Sequence, residues 1–180
     1  NHFNHQKVQD IKQILFNPGR RKRPNQILII LRGAPGSGKS HLVQLIKKKE
    51  GEMGNASDIR ILSIDDYYMT EEEEDDERRG SRTQNYLKQM IKCLKKTIAD
   101  GLHNFIIIDA ENCDWTSYNM FYQVGSSMGC AVYTIELYQT FDICFKQSQR
   151  VRSEQEIRKS IELLDSYRIG ERHELLIPTA

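Results

Sequence analysis

The sequence predicts a three-layer α/β domain with a mostly parallel sheet. Short continuous apolar runs alternate along the chain with segments of helical period, which is the pattern of βα units around a parallel sheet. The chain has 180 residues, of which 38% are hydrophobic. This is enough for one well-covered core and short for two, so we expect a single domain.

Four apolar runs are the predicted strands. They lie at Ile27 to Leu31, Arg60 to Ile64, Phe105 to Asp109 and Ala131 to Leu137. Three predicted helices lie at Gln84 to Ala99, Trp115 to Met128 and Glu154 to Tyr167. The first helix has apolar residues at intervals of three and four, namely Leu87, Met90, Ile91, Leu94 and Ile98.

Two segments fall outside this pattern. Residues 1–26 hold a short helical pattern and then the helix breakers Pro18, Gly19 and Pro24, so we interpret them as an amino-terminal arm or linker before a domain at residues 27–177. The basic run Arg20 to Arg23 is either a solvated stretch or a nuclear-localisation or phosphate-contacting cluster. Residues 70–83 include seven consecutive acids and predict a mobile acidic loop.

The composition excludes several classes of protein. The chain has 26 Lys and Arg against 25 Asp and Glu, so a polyanion site has to come from a local cluster. The four cysteines form no C-x-x-C pair, which argues against a zinc site or a disulfide framework and for reduced, intracellular thiols. No apolar run approaches the roughly 18 to 20 residues of a membrane span, so we expect no membrane partner.

The stretch GAPGSGKS, from Gly33 to Ser40, fits the pattern G-x-x-x-x-G-K-[ST]. It follows a predicted strand and opens an amphipathic helix, where backbone amides wrap an anion at the helix amino terminus. We predict that it binds a nucleoside triphosphate, ATP or GTP, with Lys39 at the β- and γ-phosphates and Ser40 at Mg²⁺. The predicted nucleotide-binding residues are Gly33, Ala34, Pro35, Gly36, Ser37, Gly38, Lys39, Ser40 and His41.

Acidic side chains end the next two strands. Asp65 and Asp66 follow the second strand, and Asp109 ends the third. Open parallel sheets place their sites at this carboxyl edge. Asp65 is a candidate base for an attacking hydroxyl or a candidate metal ligand, and Asp109 is a candidate metal ligand through water. Helix capping is the alternative reading of both positions.

A basic segment follows the fourth strand. Its cations precede or lie on a helix, namely Lys146, Arg150, Arg152 and Arg158. A basic lid that closes over a triphosphate neutralises charge in the transition state of phosphoryl transfer. Arg150 and Arg152 have the place in the chain that this role requires, and surface arginines at a helix start are the alternative.

The order of these motifs resembles the polynucleotide-kinase-like P-loop family. The blocks RILSIDDYYMTE and KKTIADGLHNFIIIDAEN are most similar to the carboxy-terminal domains of nuclear proteins that carry a YLP motif, over about residues 26–177. The resemblance implies a P-loop NTPase fold of nucleoside-kinase type, ATP or GTP with Mg²⁺, and nuclear residence beside RNA and a phosphatase complex. It also implies that Lys39 and Ser40 contact the nucleotide, that Asp65 activates a 5′-hydroxyl, and that Arg150 or Arg152 is the lid arginine.

One position departs from this family. Polynucleotide 5′-kinases carry an arginine three residues after the base, and this chain has Tyr68, whose phenol brings no charge. Two hypotheses therefore stay open. The chain is either a nucleotide-dependent kinase or slow NTPase, or a catalytically degenerate nucleotide-binding module that scaffolds nuclear RNA or protein partners. The base preference and the acceptor are not determined by any motif.

Overall fold

A computed structural model of the chain describes residues 9–68, 76–148, 152–167 and 175–176. Four strands form a parallel sheet, namely β2 (Ile27–Gly33), β3 (Ile59–Ser63), β4 (Phe105–Asp109) and β5 (Ala131–Leu137). Their order in the sheet is β3, β4, β2, β5. The short strands β1 (Gln9–Asp10) and β6 (Leu175–Leu176) pair separately, also in parallel. The predicted α/β class and its four strands are confirmed, with bounds that differ by at most two residues.

Seven α-helices lie in the described part of the chain. They are α1 (Lys12–Leu15), α2 (Lys39–Glu52), α3 (Asp65–Tyr68), α4 (Asp76–Asp100), α5 (Trp115–Ser127), α6 (Phe141–Gln147) and α7 (Glu154–Ser166). The three predicted helices correspond to α4, α5 and α7, whereas α6 was not predicted. No described helix is both long and apolar enough to cross a bilayer.

The acidic segment needs a correction. Helix α4 begins at Asp76, so residues 76–83 are helical and not part of a loop. The physical reason is that acidic residues at the start of a helix interact favourably with its dipole, and the apolar stripe further along supplies the packing. Residues 70–75, the rest of the predicted loop, lie outside the described residues.

The central strands have a core on each face. Because side chains alternate along a strand, Leu28 and Ile30 of β2 pack on the side of α4 and α5, and Ile27 and Ile29 pack on the side of α2. All seven residues of β2 are buried. This burial on both faces explains why the strands read as continuous apolar runs, and it gives the three layers.

The amino-terminal segment from residue 9 onward packs on the domain. Ile11, Ile14 and Leu15 are buried in the core on the α2 side of the sheet. A 3₁₀ helix (Gly19–Lys22) follows, and Arg20 from it donates to both carboxylate oxygens of Glu50, at 2.6 and 2.9 Å. These contacts attach the segment to the last turns of α2.

Candidate nucleotide-binding site

The loop between β2 and α2 depends on its glycines. Gly36 has a φ of 77°, and a Cβ atom there would overlap the carbonyl oxygen of Cys144 in α6. A Cβ atom at Gly33 would overlap the hydroxyl of Ser37, which is itself buried. The close packing of the loop on α6 therefore excludes a side chain at Gly36, and a side chain at Gly33 would require the Ser37 hydroxyl to shift.

Helix α2 begins without a side-chain cap. Gly38 precedes it with a φ of 103° and, as a glycine, has no side chain that could accept a hydrogen bond from the first turn. The amides of this turn have no partners within the helix either, because the first four N–H groups of any helix lack them. Ser40 and His41 are exposed in this turn. The helix start therefore offers free donors to an anion, together with its partial positive charge.

The Lys39 side chain lies across the loop. Its ammonium donates to the carbonyl oxygens of Gly33 at 2.8 Å and Ala34 at 2.9 Å. A cation is thus held over the turn that the glycines shape. Contact between this ammonium and a phosphate oxygen would exchange neutral acceptors for a charged one, which makes stronger hydrogen bonds.

The two predicted acidic positions meet at the carboxyl edge of the sheet. Ser63 at the end of β3 is in register with Asp109 at the end of β4, and Asp65 follows at the start of α3. Burial raises the pKa of the Asp109 carboxyl; the Lys39 ammonium opposes this shift, and Asp65 and Asp66 add to it. The sheet therefore brings Lys39, Asp65 and Asp109 together, and their roles in binding and catalysis stay predictions.

This arrangement fits Mg²⁺ together with a nucleotide. Mg²⁺ takes oxygen ligands and is commonly held by one or two carboxylates, substrate phosphates and waters. Asp109 supplies a buried carboxylate, and Ser40 supplies a hydroxyl at the start of α2. Among the described residues no group of three His, Cys, Asp or Glu side chains is placed to hold a metal. Phosphate oxygens are therefore needed to complete a ligand set.

The basic segment is only partly described. Arg150 lies outside the described residues. Arg152 donates to Glu111 at 2.6 Å and to Glu156 at 2.9 Å, so its guanidinium bridges the end of β4 and helix α7. Arg158 pairs with Glu154 and lies 3.8 Å from the centre of the Phe141 ring. The lid role of Arg150 and Arg152 stays a prediction.

A cavity of about 470 Å³ opens beside the carboxyl ends of β3 and β4. Its walls come from α4, α5, α7 and the segment after β4, and they include Glu111, Asn112 and Arg152. Ser160 of α7 also donates to Glu111, at 3.3 Å. A pocket with apolar walls and a few convergent polar groups, next to the glycine loop, has the form of a small-molecule site.

A family model described as an AAA domain matches residues 28–168. The chain belongs to this family. The human YLP motif-containing protein 1 is 35% identical over 181 aligned positions, which cover 92% of this chain and 8% of that protein. The AAA domain described here thus spans about a twelfth of the length of this relative.

Solved structures share the fold of this AAA domain. The structure of the Pnkp1/Rnl/Hen1 RNA repair complex matches with a TM-score of 0.60 and 17% identity, over 80% of this chain and 45% of that chain. A putative kinase from Chloroflexus aurantiacus matches with a TM-score of 0.61 and 14% identity, over 86% and 88%. The fold is that of P-loop kinases, and the predicted resemblance to the polynucleotide-kinase-like P-loop family is confirmed.

Arg32 is a residue of the AAA domain site that sequence reasoning missed. It is fully buried at the end of β2 and donates to the carbonyl oxygens of Asn112 at 2.7 Å and Cys113 at 2.9 Å. It also forms an ion pair with the buried Glu136, at 3.4 Å. Arg32 therefore fixes the backbone after β4, which forms a wall of the cavity. The sequence does contain a sign of this role, since Arg32 is a cation within an otherwise apolar strand and a buried charge requires partners.

Proposed function

We propose that this AAA domain binds a nucleoside triphosphate with Mg²⁺ at residues 33–41 and transfers its terminal phosphoryl group to a hydroxyl in the adjacent cavity. The observation that supports this most is the convergence of the Lys39 ammonium, the uncapped start of α2 and the buried Asp109 at one edge of the sheet. These are the parts that position and neutralise a triphosphate.

Nucleotide binding rests on the loop itself. The amides at the start of α2 receive phosphate oxygens, and Lys39 leaves the carbonyl oxygens of Gly33 and Ala34 for the β- and γ-phosphates. Ser40 and Asp109 would hold Mg²⁺, which would supply positive charge to neutralise the phosphates. The elevated pKa of Asp109 supports this role, because a buried carboxylate with unbalanced charge gains from a neighbouring cation.

Transfer requires a base and an acceptor. Asp65 is exposed at the start of α3, on the same edge as Asp109, and this position supports the proposal that it takes a proton from an acceptor hydroxyl. The hydroxyl oxygen then bonds to the γ-phosphorus while the bond between that phosphorus and the bridging oxygen breaks, and a nucleoside diphosphate leaves. The cavity of about 470 Å³ suits an acceptor of nucleoside size.

One observation favours a second candidate, a nucleotide-binding module without transfer. Arg152 already bonds to Glu111 and Glu156, so its charge is engaged on the cavity wall. In this case the domain presents a surface to nuclear RNA or protein partners such as a phosphatase complex. The resemblance to YLP-motif proteins supports the nuclear setting, and the RNA repair complex with the same fold supports an RNA-associated role.

Labelled ATP and GTP, incubated with 5′-hydroxyl RNA and DNA, separate the two candidates. We expect label on an oligonucleotide, and we expect Asp65→Asn to abolish its transfer while nucleotide binding is retained. Asp66→Asn is the matched control, since Asp66 is the adjacent exposed carboxylate. Nucleotide binding without transfer or hydrolysis would favour the module, and equal activity of the two variants would remove Asp65 from the mechanism.

A further inference from the structure

A second cavity lies at the opposite edge of the sheet. It has a volume of about 910 Å³, and its walls include Lys12, Phe16, Lys22, Arg23 and Tyr133. We call it the basic groove. Arg23 lies before the first residue of β2, whereas the glycine loop, residues 33–41, lies at the other end of this strand. Seven residues of strand span about 20 Å, so the basic groove is separate from the nucleotide site.

The basic groove carries unbalanced positive charge. Lys12 and Lys22 are exposed, and in the described part of the chain neither forms an ion pair with an acid. Arg23 shares the single carboxylate of Glu50 with Arg20, so two guanidinium groups face one negative charge. The described residues that line the groove thus include no carboxylate, and Glu50 beside it balances only one of its neighbouring cations.

The charge extends onto the end of α2. The contacts with Glu50 hold residues 20–23 against the last turns of this helix, which carry Lys47, Lys48 and Lys49. Segments 10–23 and 47–52 together contain eight Lys and Arg and three Asp and Glu. The whole chain has a net charge of only +1, so the positive charge is concentrated on this side of the molecule.

An aromatic ring lies among these cations. Phe16 is 44% exposed on a wall of the groove, and the Lys49 ammonium lies 4.1 Å from the centre of its ring. Tyr133 contributes a second aromatic side chain to the wall. Cations that follow a phosphate backbone, together with aromatic rings beside them, are the features by which proteins bind single-stranded nucleic acid. An acidic peptide would use the charge but not the ring.

We propose that the basic groove binds single-stranded nucleic acid, with Lys12 and Lys22 at its phosphates and Phe16 against a base. This site is independent of the glycine loop. It gives the domain a second, sequence-tolerant contact with a nucleic acid, beyond any acceptor held near Asp65.

The first test reverses the charge of the groove. Fluorescence anisotropy with a labelled single-stranded RNA of about 12 nucleotides should show at least tenfold weaker binding for Lys12→Glu/Lys22→Glu. The slope of log affinity against log salt should become shallower by about 1.4, since each phosphate contact to a single strand contributes about 0.7. The control Lys92→Glu/Lys95→Glu makes the same change of net charge with two exposed lysines of α4, and it should bind like the wild type.

The second test concerns the ring and the site. Phe16→Leu, which keeps an apolar side chain, should weaken RNA binding about fivefold or more and leave binding of heparin, which has no bases, unchanged.

Lys39→Ala should leave RNA affinity unchanged even where it abolishes nucleotide binding, so failure of the proposed function would not obscure this result. Equal losses in both charge-reversal variants would overturn the proposal, as would loss of RNA binding in Lys39→Ala or equally effective competition by a polyglutamate peptide.

Discussion

Two buried carboxylates, at opposite ends of the domain, have opposite electrostatic surroundings. Glu50 on α2 has a lowered pKa, because hydrogen bonds and charge from Arg20 and Arg23 outweigh the effect of its burial, which acts to raise it. Asp109 at the end of β4 has a raised pKa, because burial dominates and the nearby Asp65 and Asp66 add to it. Burial disfavours the charge of both groups, and their neighbours decide the outcome.

The surroundings of the two carboxylates suit them to different roles. Glu50 carries a charge that stabilises the fold, whereas the charge of Asp109 is suited to binding a ligand. The carboxylate of Glu50 receives four hydrogen bonds from two guanidinium groups, at 2.6 to 3.1 Å, so the chain itself balances its charge. Within the described residues, the cation that lowers the pKa of Asp109 is Lys39, whose ammonium donates hydrogen bonds to two carbonyl oxygens. A bound cation would stabilise the charge of a buried carboxylate that the chain itself does not balance.

The largest expected effect is on the free energy of unfolding and comes from replacing Glu50. Glu50→Ala leaves two guanidinium groups without their carboxylate, and breaking a buried ion pair in this way costs about 3–5 kcal/mol. Urea denaturation should show this loss in the free energy of unfolding. The exposed neighbour Glu52 provides the control, since Glu52→Ala should change it by less than about 0.5 kcal/mol. Similar losses in both variants would contradict the structural role of Glu50.

The contribution of Glu50 should also depend on pH. Its pKa in the folded chain lies below the ordinary value of 4.5, so its charge stabilises the fold above that value, and the stabilisation is lost as the pH falls through the folded pKa. At neutral pH, Glu50→Gln should cost about 1.5–3 kcal/mol, the range for hydrogen bonds to charged groups. Denaturation curves in increasingly acidic buffer should bring variant and wild type together, and a constant gap would exclude a contribution from ionisation.

On the ligand side, Lys39→Ala should act on binding and not on folding. Loss of charge-assisted bonds to phosphates costs about 1.5–3 kcal/mol, so calorimetry should show roughly 10- to 100-fold weaker nucleotide binding with Mg²⁺ present. The unfolding free energy should barely change. Lys48→Ala, on the same helix but exposed, is the matched control. An unchanged nucleotide affinity would remove the premise of both functional candidates.

The smallest expected effect is a gain. Because folding raises the pKa of Asp109, its ionised form destabilises the fold at neutral pH, and Asp109→Asn should stabilise the metal-free domain by roughly 0.5–1 kcal/mol. The gain should vanish below the ordinary pKa of 3.8, where the carboxyl is protonated in both states. The same variant should lose the extra stabilisation that wild type gains from nucleotide with Mg²⁺. A loss of stability at neutral pH would show that the charge of Asp109 is balanced within the chain.

Much of the fold could be predicted because local signals agree with the tertiary structure. The central strands β2 and β4 are buried on both faces and so read as continuous apolar runs, and α4, α5 and α7 have helical spacing. Helix α6 escaped prediction because it has only seven residues and one fully buried side chain, Cys144. The helical start of α4 was missed because a run of acids reads as a solvated loop.

The sequence by itself determined the order of strands and helices, the glycine loop and the identity of the acids that follow β3 and β4. These depend on local periodicity and on motifs in which neighbouring residues act together. Only the tertiary structure decided that Arg32 holds the backbone after β4, that Arg152 bonds to Glu111, and that residues 9–23 pack on α2. The partners in these contacts are 27 or more positions apart in the chain. Pairing over such distances depends on how the layers pack, which no local pattern encodes.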